Sequence, residues 1–138
     1  MGDLSPNSQD QPVAPETQVV LGDSMGEMFA YYAACDIAFI GGSLLPLGGQ
    51  NLIEAAAMGK PVLIGPHTFN FAEVSELAVQ AGVALRVANA EELVLAVEDL
   101  LKAPEKAKAM SVAALAFADR HRGATERLMA LIEPYIKC

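Results

Sequence analysis

Short apolar runs alternate with helical stretches along most of this 138-residue chain. The apolar runs read VVL, DIAFI, PVLI and VALRV, and glycine or polar residues follow each of them before the next helical pattern begins. Strands and helices that alternate with short connections favour a parallel β-sheet with helices on both faces. The alternation therefore predicts an α/β fold with four strands and about six helices.

Glycine and proline mark the ends of several predicted helices. Gly59 and Pro61 end the helix that starts near Asn51, and Gly82 ends the helix before VALRV. Two further helices are predicted at the end of the chain, PEKAKAMSVAALAFADRH and ATERLMALIEPYI, with the basic residues 120–122 near a helix end. Residues 1–16 contain three prolines among polar residues, which predicts a disordered tail or an interdomain linker ahead of one domain over residues 17–138.

Composition excludes several classes of function. The formal net charge of −8 argues against a nucleic-acid-binding protein, which would carry a basic surface. Cys35 and Cys138 have no metal-ligand spacing, so no metal site is predicted. No apolar run approaches the roughly 18 residues of a membrane span, and the N-terminus lacks the pattern of a signal peptide, so a soluble domain is expected.

Three loops at the predicted carboxyl ends of strands carry the candidate binding residues. They are GDSMGEM at 22–28, GGSLLPLGGQNLIE at 41–54 and GPHTFNFAE at 65–73. Ligands of open α/β sheets bind outside the carboxyl ends of the strands, which makes these loops one predicted binding edge. Two Gly-Gly pairs in the second loop indicate close approach of the backbone to another group, although a tight turn also explains them. His67 is a candidate phosphate or acid–base contact, but a lone histidine is more often structural.

A shared four-residue pattern within two of these loops allows two interpretations. Residues 24–27 and 51–54 both read Ser or Asn, two residues, then Glu. This is the capping box that starts a helix, in which the N-cap side chain and the Glu each bond a backbone amide. The alternative is that the helix starts face a ligand, with backbone amides suited to a phosphate and Glu54 suited to sugar hydroxyls.

The long motif DIAFIGGSLLPLGGQNLIEAAAMGKPVLIGPHTFNF, together with GDSMGEM, resembles the C-terminal half of the 3-deoxy-D-manno-octulosonic acid (Kdo) transferases of lipopolysaccharide synthesis. The resemblance implies the C-terminal, Rossmann-like domain of a GT-B glycosyltransferase, which binds the donor CMP-Kdo without a metal or other cofactor. It implies an inverting parent enzyme that transfers Kdo to a lipid A precursor at the cytoplasmic face of the inner membrane of Gram-negative bacteria. The acceptor domain and its catalytic base would lie in an N-terminal domain absent from this sequence, so the chain alone is expected to be inactive.

Residue by residue, the resemblance implies two segments beside the nucleotide. They are Met25, Gly26 and Glu27, and then Asn51, Leu52, Ile53 and Glu54, with Glu54 on the ribose. Further donor contacts are expected from Gly42, Ser43, Gly48, Gly49, Gln50 and His67. The sequence departs from the family at Gln50, where many members have histidine, and at Ala55, where many have proline.

Two other functions remain open from the sequence. One is the donor domain of a GT-B transferase that uses another sugar nucleotide. The other is a non-catalytic α/β module that binds protein, which the sequence favours less because the acidic pair of receiver-type domains is missing after the first predicted strand.

Overall fold

The structure, a computed structural model, describes residues 4–6, 16, 18–21 and 28–135. The strands are β1 (Leu4–Pro6), β2 (Val19–Leu21), β3 (Ala38–Phe39), β4 (Val62–Ile64) and β5 (Ala84–Arg86). The α-helices are α1 (Met28–Ala34), α2 (Ile53–Ala57), α3 (Ala72–Gln80), α4 (Ala90–Lys102) and α5 (Pro104–Ile132), and short 3₁₀ turns cover Phe69–Phe71 and Glu133–Tyr135.

A three-stranded parallel sheet in the order β3-β4-β5 forms the centre of the domain. Val62 pairs with Ala38 on one side and Ala84 on the other. All three residues of β4 are buried, as expected for a parallel strand with helices on both faces.

Alternation of side chains along β4 supplies both faces of the core. Val62 and Ile64 pack with residues of α2, α3 and α5, among them Ala56 and Phe117. Leu63 points the other way and packs with Leu100 of α4 and other residues of α4 and α5. The predicted sheet with helices on both faces is therefore confirmed.

The first predicted strand forms, but its observed partner is β1. Leu4 pairs with Val19 and Pro6 with Leu21, in a parallel two-stranded ladder separate from the central sheet. The proline-rich composition of residues 1–16 did not predict a strand at Leu4–Pro6. Proline lacks a backbone donor and is tolerated in a strand of this kind, at an edge or an end.

The predicted glycine stops at the ends of α2 and α3 are confirmed. Gly59 has φ +70° and Gly82 has φ +80°. Val83 N–H donates to Ala78 O and Gly82 N–H donates to Val79 O, which is the Schellman arrangement of a helix C-terminus.

The end of the chain corrects the prediction of two helices. Residues 104–132 form one helix of 29 residues that runs through Gly123. Glycine weakens a helix interior but does not break it, and no proline lies between Pro104 and Ile132. The basic residues 120–122 therefore lie within α5 rather than at its end, and Arg122 forms an ion pair with Asp119.

Substitution of Gly123 by alanine is expected to stabilise the domain. An added Cβ there meets only the Arg127 side chain, at an ordinary 3.5 Å, and alanine favours a helix interior over glycine by about 1 kcal/mol. Urea unfolding should show a higher midpoint with an unchanged slope. The matched variant Gly82→Ala should lower the midpoint, because φ there is positive. A lower midpoint for Gly123→Ala would contradict a continuous α5.

Candidate nucleotide site

The carboxyl ends of β3 and β4 lead into two loops that interlock. The first loop covers residues 41–50 and the second covers residues 65–71; we call them the glycine loop and the histidine loop. His67 N–H donates to Ser43 O at 2.9 Å, and Asn70 N–H donates to Gly48 O at 3.1 Å. Both strands are parallel neighbours, so their loops emerge at the same edge of the sheet.

Close backbone approach explains why the glycine loop contains its second Gly-Gly pair. Gly48 and Gly49 are buried with φ values of +95° and +76°, and a Cβ on Gly48 would overlap the side chain of Asn70. Gly49 N–H donates to Gly42 O at 3.0 Å and closes the loop on itself. Both explanations offered by the sequence hold for the second pair: its positive φ values form a turn, and its backbone approaches the histidine loop, while contact with a ligand stays a prediction.

Ser43 holds the glycine loop from inside the protein. Its side chain is fully buried, donates to Ile40 O at 2.6 Å and accepts from Gly65 N–H at 2.9 Å. A donor contact was expected from Ser43, but its hydroxyl instead bonds the backbone of Ile40 and of Gly65. Direct contact of this hydroxyl with a ligand would require the loops to separate.

The start of α2 does not form the capping box that residues 51–54 allow. Leu52 is the N-cap and makes no side-chain cap bond, while Asn51 Oδ1 accepts from Ile53 N–H at 3.1 Å. Within the described residues, the Glu54 carboxylate accepts no hydrogen bond. Glu54 is half-buried and Asn51 is exposed, whereas the Leu52 side chain is buried in the core, so only the Leu52 backbone can face a ligand.

The same Asn-x-x-Glu pattern occurs at residues 89–92 and caps the start of α4, although no capping was predicted there. Asn89 Oδ1 accepts from Glu92 N–H at 2.9 Å, and the Glu92 carboxylate accepts from Ala88 N–H at 2.7 Å. The start of α4 therefore provides a capped helix with which the start of α2 can be compared. The carboxylate of Glu54 differs because it is free of cap bonds, which leaves it able to accept hydrogen bonds from a ligand.

Tyr32 of α1 lies beside Glu54. Burial raises the pKa of the Tyr32 phenol above its usual value, and the negative charges of Glu54 and Cys35 raise it further. A raised pKa means that the folded state favours the neutral phenol. The stability contributed by this group is therefore present below its ordinary pKa and is lost as pH rises through the folded value.

Neutralising Glu54 should lower the pKa of Tyr32 without restoring its ordinary value. Burial is the largest cause of the shift and remains in Glu54→Gln, while the neighbouring charge is lost. NMR titration of the ¹³C-labelled Tyr32 ring in both chains measures the difference. Identical titration curves would show that the two side chains are farther apart than the structure places them.

Of the remaining predicted site residues, Gln50 and His67 belong to the described part of the chain and residues 25–27 do not. Gln50 is exposed beside Asn51, and His67 is half-buried in a small cavity with Thr68, Glu76 and Arg86. Met25, Gly26 and Glu27 lie outside the described residues. Among the residues described, no group of three His, Cys, Asp or Glu side chains is placed to hold a metal ion.

Arg86 also lies at the carboxyl edge of the sheet, although it was not among the predicted site residues. It ends β5 and its guanidinium donates to Gly65 O at 2.8 Å, to Thr68 Oγ1 at 3.2 Å and to Glu76 at 2.7 Å. A single arginine in VALRV carried no motif. Only its position at the carboxyl end of a predicted strand could have identified it.

Membrane-spanning character is absent from the helices that the structure describes. None of them combines the length and the apolar composition needed to cross a bilayer. The longest, α5, is interrupted by charged residues along its length.

Comparison with known proteins identifies the family of the chain. The family described as Glycosyl transferases group 1 matches residues 7–116. The 3-deoxy-D-manno-octulosonic acid transferase of Bordetella pertussis is 48% identical over 122 residues, which cover 88% of this chain and 28% of that protein. The corresponding enzyme of Haemophilus influenzae is 43% identical over 122 residues, covering 88% of this chain and 29% of the relative. The chain thus spans less than a third of the length of these relatives.

A solved structure has the same fold. The crystal structure of the C-terminal CMP-Kdo binding domain of WaaA from Acinetobacter baumannii has a TM-score of 0.78 and 31% sequence identity, and the match covers 84% of this chain and 61% of that one. This likeness confirms the predicted GT-B donor-domain fold. Because the family match covers well over half of the sequence, the chain belongs to the glycosyl transferases group 1 family.

Proposed function

We propose that this chain is the CMP-Kdo-binding domain of a Kdo transferase. Its similarity to curated Kdo transferases and to a CMP-Kdo binding domain supports this assignment. The observation that carries it is the half-buried Glu54 carboxylate, which has no cap bond and stands at the end of the interlocked glycine loop. A carboxylate in that position accepts two hydroxyl hydrogen bonds from the ribose of CMP.

The nucleotide lies, in this proposal, along the segment Asn51, Leu52, Ile53 and Glu54. Glu54 binds the ribose, Asn51 and Gln50 offer exposed side-chain amides, and Leu52 and Ile53 contribute backbone. Met25, Gly26 and Glu27 lie outside the described residues and belong to this proposal through the resemblance to Kdo transferases alone. The half-buried Gly42 and His67 border the donor sugar or its phosphate, whereas the buried Gly48, Gly49 and Ser43 support these loops from behind.

The parent enzyme would transfer Kdo from CMP-Kdo to a lipid A precursor, with inversion at the anomeric carbon and without a metal or other cofactor. The acceptor domain and the catalytic base belong to the part of the relatives that this chain does not span. We therefore expect the chain to bind the donor nucleotide and to catalyse no transfer alone. The parent would work at the cytoplasmic side of the inner membrane of Gram-negative bacteria.

An amide NMR titration tests the proposed function. CMP should shift amides in residues 24–27, 41–43 and 48–54, and UMP should shift them less at the same concentration. A preference for UMP or UDP would instead assign another sugar nucleotide to this site. No response to any nucleotide at millimolar concentration would contradict nucleotide binding by this chain and favour a protein-binding module.

A further inference from the structure

The backbone of Gly65 is held on three sides. Its N–H donates to the buried Ser43 hydroxyl at 2.9 Å, and its carbonyl accepts from Arg86 at 2.8 Å. A Cβ at this position would overlap the backbone carbonyl of Ser43 and lie 2.7 Å from Leu44 N. The backbone of a single residue therefore joins the glycine loop on one side to strand β5 on the other.

The hydrogen bonds of Arg86 hold Gly65 in place and do not point to a separate ligand. One terminal nitrogen donates to both Gly65 O and Thr68 Oγ1, which lie at the start and in the middle of the histidine loop. The other donates to Glu76 of α3, whose side chain is 60% exposed, while the Arg86 side chain is 28% exposed. The planar fork of arginine supports several donors in fixed directions, which the single ammonium of lysine does not.

The bonds from Arg86 continue to the proposed nucleotide segment. The histidine loop, fixed at Gly65 and Thr68, donates through His67 N–H to Ser43 O and through Asn70 N–H to Gly48 O. Gly49 N–H then donates to Gly42 O, and residues 50–54 follow directly. The two bonds between the loops join residues more than 20 positions apart in sequence, so the shape of the glycine loop depends on the position of the histidine loop.

We propose that Arg86 is a positioning residue for the donor site: through Gly65 and Thr68 it sets the histidine loop, which in turn sets the glycine loop against the nucleotide. This inference rests on the proposed function, because the effect is expected on CMP affinity. Groups that orient the ligands of metal sites contribute about 10- to 100-fold to affinity or activity, and we expect an effect at the lower end of that range here.

The test compares Arg86→Met with Glu76→Gln in the 138-residue chain. Arg86→Met removes the bonds to Gly65 and Thr68, whereas Glu76→Gln removes the charge partner and leaves those bonds in place. CMP affinity is measured by NMR titration at a temperature where thermal unfolding shows each chain to be folded. We expect Arg86→Met to weaken CMP binding about tenfold and Glu76→Gln to change it less than about twofold.

A second readout needs no ligand. In Arg86→Met, the amide signals of Gly49, His67 and Asn70 should move in the free chain, although all three lie at least 16 positions away in sequence. If Arg86→Met does not fold, Arg86→Lys replaces it, because lysine keeps the charge and one donor but loses the fork. Its expected effects have the same direction.

The outcomes separate this inference from the proposed function. If the unaltered chain binds CMP and the arginine variant binds it equally well, or leaves the three amides unmoved, the positioning role is overturned and the proposed function stands. If the unaltered chain shows no response to CMP, the proposed function fails, and the positioning role fails with it.

Discussion

Glu54→Gln is expected to weaken CMP binding by about 10- to 100-fold. A hydrogen bond to a charged group contributes about 1.5–3 kcal/mol, and each 1.4 kcal/mol is tenfold in affinity. Glutamine keeps the size of the side chain but has one acceptor oxygen and no charge, so it cannot accept both ribose hydroxyls with equal strength. Isothermal titration calorimetry or the NMR titration measures the loss.

The fold itself should tolerate this change. Within the described residues Glu54 makes no cap bond and no ion pair, so the free energy of unfolding should change by less than about 0.5 kcal/mol. Glu92→Gln is the matched control, because Glu92 occupies the same place in the same pattern and does form a cap bond. That variant keeps an acceptor for Ala88 N–H and loses only the charge at the helix start, so stability should fall by about 0.3–1 kcal/mol and CMP affinity should stay unchanged. Equal CMP affinity in Glu54→Gln and the unaltered chain would remove Glu54 from the site.

Gly65→Ala is expected to have the largest effect on stability. The added methyl group overlaps the Ser43 carbonyl, and the obstacle is backbone rather than a side chain that can rotate away. The two loops must separate, which also breaks the bond between Gly65 N–H and Ser43. Overpacking costs about 1–3 kcal/mol and a broken buried hydrogen bond adds to it. Urea unfolding should show a loss of at least about 2 kcal/mol, or no folded chain.

Gly41→Ala is the control for the same loops. An added Cβ at Gly41 meets nothing within 4 Å, and Gly41 is exposed. Its free energy of unfolding should stay within about 0.5 kcal/mol of the unaltered chain. Comparable destabilisation by both variants would mean that any added side chain destabilises these loops, and that the contact between Gly65 and Ser43 is not the specific cause.

The two occurrences of the Asn-x-x-Glu pattern show how far local sequence predicts this site. At residues 89–92 the pattern caps its helix: Asn89 accepts from Glu92 N–H, and the Glu92 carboxylate bonds back to Ala88 N–H, one residue before the N-cap. At residues 51–54 the Leu52 side chain is buried in the core, and the Asn51 amide bonds Ile53 N–H instead of Glu54 N–H. Packing of one apolar residue therefore decides whether the glutamate caps its helix or remains free for a ligand.

The amino-acid sequence by itself determined the alternation of strands and helices, the glycine stops at Gly59 and Gly82, and the edge of the sheet at which the candidate binding loops lie. These depend on side-chain period and backbone preference, which act between residues close in sequence. Only the tertiary structure decided that α5 continues through Gly123, that the pair Gly48–Gly49 faces the histidine loop, and that Arg86 supports Gly65. Arg86 and Gly65 are 21 positions apart. Contacts of that kind exist only once the strands have paired, because the sheet is what brings β5 beside the loop that follows β4.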